Sequence, residues 1–192
     1  MRRVLPSQIF ESQDNYLIHL ARYMFAARQL SPDSKVLEIG CGSGYGARLL
    51  SDFSSEVDAY DISSSELKLE GDYFQEKDNL FFYDTLPEKK YDFIVSFEVI
   101  EHIDNSNIEE YFKNIKTRLV DGGVCFLSTP RAIPYKERSK NRQEQHVHEY
   151  SAKEFKETLS QHFTNVFLFS QNDSIISTQN PEMAWNLVAI CT

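Results

Sequence analysis

Residues 35–46 read KVLEIGCGSGYG. An apolar run from Lys35 to Ile39 ends on glycines at 40, 42, 44 and 46, the pattern of a strand that feeds a tight turn into a helix. Glycines at such a turn permit positive φ and let backbone N–H groups approach a ligand that a Cβ would hold away. A dinucleotide fingerprint G-x-G-x-x-G would need glycine where Tyr45 stands, so a pyrophosphate cradle is poorly matched. Glu38, beside the turn, would repel phosphates and suits a cationic amine. The expected ligand carries an amino group and a ribose and no pyrophosphate.

Outward from this turn, a second strand over 56–62 (EVDAYDI) brings Asp61 nineteen residues after Gly42, where an acid takes both hydroxyls of a ribose. Helical periodicity precedes the first strand, from Tyr16 to Leu30, and Pro32 ends it. After it, helices around 45–52 and 64–74 alternate with strands at 79–83 and 91–97. The second half adds a helix at 107–119, the turn Asp121-Gly122-Gly123, a strand at 124–128, a helix at 152–163 and strands at 166–169 and 185–190. This order predicts an α/β, doubly wound sheet of seven strands, mostly parallel with an antiparallel last strand. It also predicts one domain over 1–192, with a helical cap over 1–31 and a substrate loop over 131–150. Within that loop, residues 131–145 (RAIPYKERSKNRQEQ) show no periodicity and carry five basic against two acidic residues, which suits a phosphate on a substrate.

Composition excludes several classes. The 192 residues suffice for one well-buried domain. A formal net charge of -9 opposes a broad nucleic-acid-binding face, because phosphate neutralisation needs a surplus of Lys and Arg. No run approaches the length of a membrane span, so a soluble, cytoplasmic protein is expected. Cys41, Cys125 and Cys191 form no C-x-x-C pair, and neither a disulfide framework nor a thiolate zinc site is indicated.

With these motifs placed, the chain resembles the class I S-adenosylmethionine (SAM) dependent methyltransferases: VLEIGCGSGYG is similar to their first motif and YDIS to their second. The resemblance implies a Rossmann-like fold and SAM as cofactor. It places Gly40, Gly42 and Gly44 under the methionine part, Glu38 at its amino end and Asp61, with Ile62 beside it, on the ribose. By position in that fold, Asp84 and Thr85 reach the adenine, and Phe97 stands where the fourth strand meets the cofactor.

After Phe97 the chain reads Glu98-Val-Ile-Glu101-His102. A helical turn starting there puts Glu98, Glu101 and His102 on one face, at the edge where the SAM methyl points. His146 and His148 flank Val147, just before a helix whose N-cap is Ser151, with Glu154 completing a capping box. Two carboxylates and two imidazoles, from Glu98, Glu101, His102 and His146, suit Mg, Mn or Zn. EVIEHI, STP and the late H-x-x-E-Y-S-x-x-EF resemble the Hen1 small-RNA methyltransferases, which implies that those four residues hold a divalent metal against a terminal ribose diol. Ubiquinone-pathway O-methyltransferases share a similar E-x-x-E-H element. A closer overall likeness, adding RYMFA at 22–26, is to bacterial methyltransferases of glycan and O-antigen synthesis. It implies O-methylation of a sugar, a sugar nucleotide or a similar small metabolite. Because a hydroxyl is a weak nucleophile that needs a base or a metal, His102 and Glu101 are the expected catalytic groups. An RNA-terminal 2'-O-methyltransferase and a non-catalytic SAM-binding partner protein are the alternatives.

Overall fold

The structure is a computed structural model and describes residues 13–63 and 77–192. Helix α1 (Gln13–Ala27) leads into β1 (Lys35–Ile39), α2 (Tyr45–Leu50) and β2 (Glu56–Tyr60). Then follow β3 (Leu80–Tyr83), β4 (Tyr91–Phe97), α3 (Ile108–Arg118) and β5 (Leu119–Pro130). The chain closes with α4 (Lys140–Gln145), α5 (Ala152–Ser160), β6 (Val166–Gln171), β7 (Ile176–Ser177) and β8 (Asn186–Cys191). The helix expected over 64–74 lies outside the described residues, as does the start of the expected cap.

Alternation along the strands sorts the core onto two faces. Val36, Val95 and Phe126 pack with Tyr23, Ala26, Ala47 and Leu50 of α1 and α2. On the other face, Leu37, Ile94 and Leu127 pack with Phe112 and Ile115 of α3 and with Phe155 and Leu159 of α5. Helix α3 is further fitted to its ends: Glu109 and Glu110 occupy its first turn, and Lys116 and Arg118 its last, complementing the helix dipole.

The strand order is β3-β2-β1-β4-β5-β8-β6-β7. Pairings from β3 through β5 are parallel, while β5–β8, β8–β6 and β6–β7 are antiparallel. Two expectations are corrected here. Among the described residues the sheet has eight strands rather than seven, and three antiparallel pairings instead of one. The extra strand β7 is only two residues long and falls in a polar stretch without alternation, so no period marks it. The expected turn at Asp121-Gly122-Gly123 is absorbed into a twelve-residue β5, because Gly122 at φ 76° lies beside a register shift against β4 and lets the strand continue through an irregularity. Residues 131–145, expected as loop, contain a 3-10 turn (Tyr135–Glu137) and α4, whose N-cap Ser139 accepts a bond from Arg142 N–H.

From β1 the chain moves outward to β2 and β3, then returns past β1 to β4. The carboxyl ends of β1 and β4 therefore flank the point where the winding reverses, where open α/β sheets bind ligands. Among the described residues no helix is long and apolar enough to cross a membrane.

Candidate active site

A cavity of about 620 Å³ opens at that reversal point. Gly40, Gly42, Asp61, Ile62 and Phe97, all expected at a cofactor, line it. Gly40 has φ 78°, and a Cβ built on it would lie 2.3 Å from Val99 Cγ2, so the turn closes this tightly only without a side chain. Asp61 Oδ2 accepts from Gly42 N–H at 2.8 Å and Oδ1 from Ser63 N–H at 2.9 Å, which fixes the carboxylate across the turn. Gly44 lies behind the wall as the left-handed N-cap of α2, packed on Phe82. Asp84 and Thr85 are exposed and outside the lining, which Leu86 joins instead.

Glu38 sits beneath the turn. Strand alternation turns it toward α1, where Tyr23 Oη donates to its Oε1 at 2.6 Å, while Oε2 is buried without a partner. Burial raises its carboxyl to about 8; the Tyr23 bond opposes the rise and the charge of Asp61 adds to it. A cationic ligand nearby would favour the ionised form. The turn therefore fits the amino end and ribose of SAM: a cradle that a Cβ would fill, an anchored acid, and an orphaned buried oxygen beneath it.

At the end of β4 the backbone of Glu98 takes φ 57°, a conformation that costs a non-glycine residue about 1–3 kcal/mol. Ser128 on β5 holds it there. Its carbonyl and Oγ accept from Glu98 N–H at 3.1 and 3.2 Å, and its Oγ donates to Glu98 Oε1 at 2.8 Å. A 3-10 turn begins only at Ile100 and ends at His102, so Glu98 stands outside the expected single helical face. Its carboxylate looks toward Arg22, 3.9 Å away. Burial would raise its pKa, but the Arg22 guanidinium, His19, the Ser128 hydrogen bond and His146 together outweigh this and hold it below the usual range.

Glu101, His102 and His146 do converge: one ligand atom from each lies within 4.8 Å of the other two. Residues 45 positions apart meet because Glu101 C=O accepts from both Val147 N–H (2.8 Å) and His148 N–H (3.1 Å). Each imidazole is oriented from behind. His102 Nδ1 lies 2.8 Å from the Gln145 carbonyl; a carbonyl only accepts, so Nδ1 carries a proton, and in the neutral ring the lone pair is on Nε2. His146 Nδ1 lies 2.9 Å from Glu149 Oε1. Burial alone would raise the Glu149 carboxyl, but bonds from Arg142 and His146 hold it low, so His146 Nδ1 is also the donor. Burial keeps His146 below its ordinary pKa, leaving it neutral.

Glu101 is fully buried. Its Oε2 accepts from Thr129 Oγ1 at 3.1 Å, and its Oε1 has no partner. Burial first, then the charge of Glu98, push this carboxyl well above the ordinary range. An orphaned carboxylate oxygen 3.9 Å from His102 Nε2, beside a second imidazole with its outer nitrogen anchored, is a donor set that fits a divalent cation. Glu98, the fourth expected ligand, is not in this group.

His148 turns away: its Nε2 lies 2.7 Å from Glu154 Oε1. Ser151 caps α5 by accepting from Glu154 N–H, as expected, while the Glu154 carboxylate serves His148. Two residues were not singled out from the sequence. For Glu149 the sequence offers one signal, its i+3 spacing from His146. His19 gave no signal beyond its place on α1. Its Nδ1 accepts from Arg22 at 2.7 Å, and burial together with the Arg22 charge lowers its pKa to about 4.

The sequence pattern of a family described as "Methyltransferase domain" matches residues 10–163. A ubiquinone biosynthesis O-methyltransferase of Rickettsia bellii (strain OSU 85-389) is 31% identical over 103 residues, covering 50% of this chain and 42% of that protein. The chain thus spans less than half the length of this curated relative. Among solved structures, the methyltransferase domain of a bacterial Hen1 superposes with a TM-score of 0.68 at 20% identity, covering 91% of this chain and 99% of the other. DhpI in complex with S-adenosylhomocysteine (SAH) gives 0.67 at 18% identity, covering 97% and 90%. At these identities the two structures share the fold.

Proposed function

We propose, from the premise that the chain belongs to the methyltransferase-domain family, that this class I SAM-dependent enzyme methylates one hydroxyl of a vicinal diol, and that the diol is the terminal ribose of an RNA. The observation that carries the reading is the orphaned Glu101 Oε1 facing the lone pairs of His102 and His146. When bound, SAM supplies an electrophilic methyl, and a divalent cation would bind neighbouring hydroxyls and lower their pKa.

The chain's own residues supply position and proton control. Asp61 and the glycine turn orient the donor, and Phe97 walls the cavity beside it. Glu101, His102 and His146 hold the acceptor's oxygens against the donor side, which converts a bimolecular displacement into an aligned one. Glu149 and the Gln145 carbonyl lock both imidazoles so that each presents Nε2. In a site without the cation, His102 Nε2 is the group able to take the hydroxyl proton.

A methyltransferase that reads an RNA end needs contacts to the terminal nucleotide alone, which reconciles the reading with a net charge of -9. That same charge favours a second reading, a sugar, a sugar nucleotide or a similar small hydroxylated metabolite, and likeness to a ubiquinone biosynthesis O-methyltransferase agrees with it. Labelled methyl transfer separates the two. The RNA reading expects label on an oligoribonucleotide with an intact 3' diol, none after periodate oxidation of that end, and loss of transfer on chelation. Label on sugar nucleotides alone would replace it with the second reading.

A further inference from the structure

A second cavity, of about 590 Å³, adjoins the first, and His19 and Glu98 line both. His102 faces the first cavity and His146 the second, so the Glu101–His102–His146 group stands in the partition between them. A molecule in the second cavity would reach His146 without entering the first.

Its remaining wall is unlike the rest of this acidic chain. Arg131 and Arg142 both line it. Arg131 Nε donates to the Ala184 carbonyl at 2.6 Å and Nη1 to the Ala132 carbonyl at 3.0 Å. Arg142 pairs with Glu149 through Nε and donates through Nη2 to the Arg131 carbonyl at 2.7 Å. Each guanidinium is thus fixed in place with only part of its five-donor fork engaged. Glu98, the carboxylate in the lining, already faces Arg22.

Trp185, the chain's one tryptophan, stands at the rim and is 67% exposed. Its backbone is pinned: N–H donates to Asn172 Oδ1 at 2.8 Å, and C=O accepts from Arg131 N–H at 2.9 Å. An indole on a fixed anchor, with its ring open beside two fixed arginines, offers a flat stacking face next to an anion site.

We propose that this cavity is a nucleotide subsite, with Trp185 stacking on the base and Arg131 and Arg142 holding the phosphate of the nucleotide whose ribose meets the Glu101–His102–His146 group. It rests on the diol reading above and adds the recognition of base and phosphate.

The test uses Trp185 as its own reporter, in the full chain without SAM or metal. Its fluorescence is titrated with adenosine 5'-monophosphate, adenosine and ribose 5-phosphate. The expected result is saturable quenching by the nucleotide, with binding at least about tenfold weaker when either base or phosphate is missing. A five-residue RNA with an intact 3' end identifies the source: tighter binding than the mononucleotide assigns the site to an RNA end, and weaker binding assigns it to a free nucleotide. Arg131→Gln, which touches neither cofactor nor metal ligands, should lose the preference for the phosphorylated ligand. The ligand series in the unaltered protein decides the matter even if that variant does not fold. No quenching, or equal affinity for adenosine and its monophosphate, or for ribose 5-phosphate and the nucleotide, overturns the proposal. Methyl transfer to a diol without nucleotide quenching would sink this subsite and leave the diol reading standing; quenching without transfer would do the reverse.

Discussion

Replacing Glu101 with glutamine separates its role as a ligand from any role in folding. The carboxyl is fully buried, bonded to Thr129 through one oxygen and unpartnered at the other. Burial and the charge of Glu98 raise its pKa well above the ordinary range, which favours the neutral acid when no cation is bound. Glu101→Gln exchanges one neutral planar group for another of the same shape, and Thr129 Oγ1 still finds an oxygen. The metal-free cost should stay below about 1 kcal/mol, or less than about 4 °C in Tm for a domain of this size. Metal binding differs. Manganese at about 100 times its Kd stabilises the folded state by about 2.7 kcal/mol, which raises Tm by about 5–11 °C. The variant, lacking the anionic ligand, should gain less than about 1 °C. Scanning calorimetry with manganese chloride, then with excess chelator, reads both quantities. A variant that keeps the full rise would place the ion elsewhere. A metal-free Tm lowered by more than about 10 °C would mean that Glu101 is an ionised structural partner.

Further substitutions test the surroundings. Glu149→Gln weakens the group that orients His146; manganese affinity should fall about 10- to 100-fold by calorimetric titration with the circular dichroism unchanged, and an unaltered affinity would remove Glu149 from the account. Glu38 has a folded-state pKa of about 8, above the roughly 4.3 of an unfolded glutamate. The stability it contributes is present below the unfolded value and is lost as pH rises through the folded one. Between pH 5.5 and 8.5, urea unfolding should show the wild type losing roughly 2–3 kcal/mol relative to Glu38→Gln, and parallel pH profiles would contradict this. Gly40→Ala combines a left-handed backbone with a Cβ 2.3 Å from Val99 Cγ2; a loss of about 2–5 kcal/mol in urea unfolding is expected, and a neutral result would show that the turn yields easily.

The glycine turn was legible because its constraints are local: positive φ at Gly40, Gly42 and Gly44 and an acid at the end of the next strand are written in residue types. So were the buried parallel strands, whose apolar runs have length and period. Glu98 was not legible, since nothing in SFEVIEHI announces a left-handed non-glycine residue. That kink is held by Ser128, a tertiary contact from β5, and it turns Glu98 toward Arg22 and leaves it outside the Glu101–His102–His146 group. His146 was placed with Glu101 and His102 by motif, but the tie that brings them together, two backbone N–H groups on the Glu101 carbonyl, has no sequence signature. Trp185 comes beside Arg131 because β8 runs antiparallel beside β5, which aligns Pro130 with Asn186, and Arg142 joins them from α4 through its bond to the Arg131 carbonyl.

We propose that Glu101, His102 and His146 hold a divalent cation beside the cofactor crevice. Anomalous scattering from a crystal soaked with SAH and manganese tests it most directly. One manganese peak is expected about 2.2 Å from Glu101 Oε1 and from the Nε2 atoms of His102 and His146, between the two cavities and next to the bound SAH. A fully occupied SAH site with no manganese at those three atoms would contradict it.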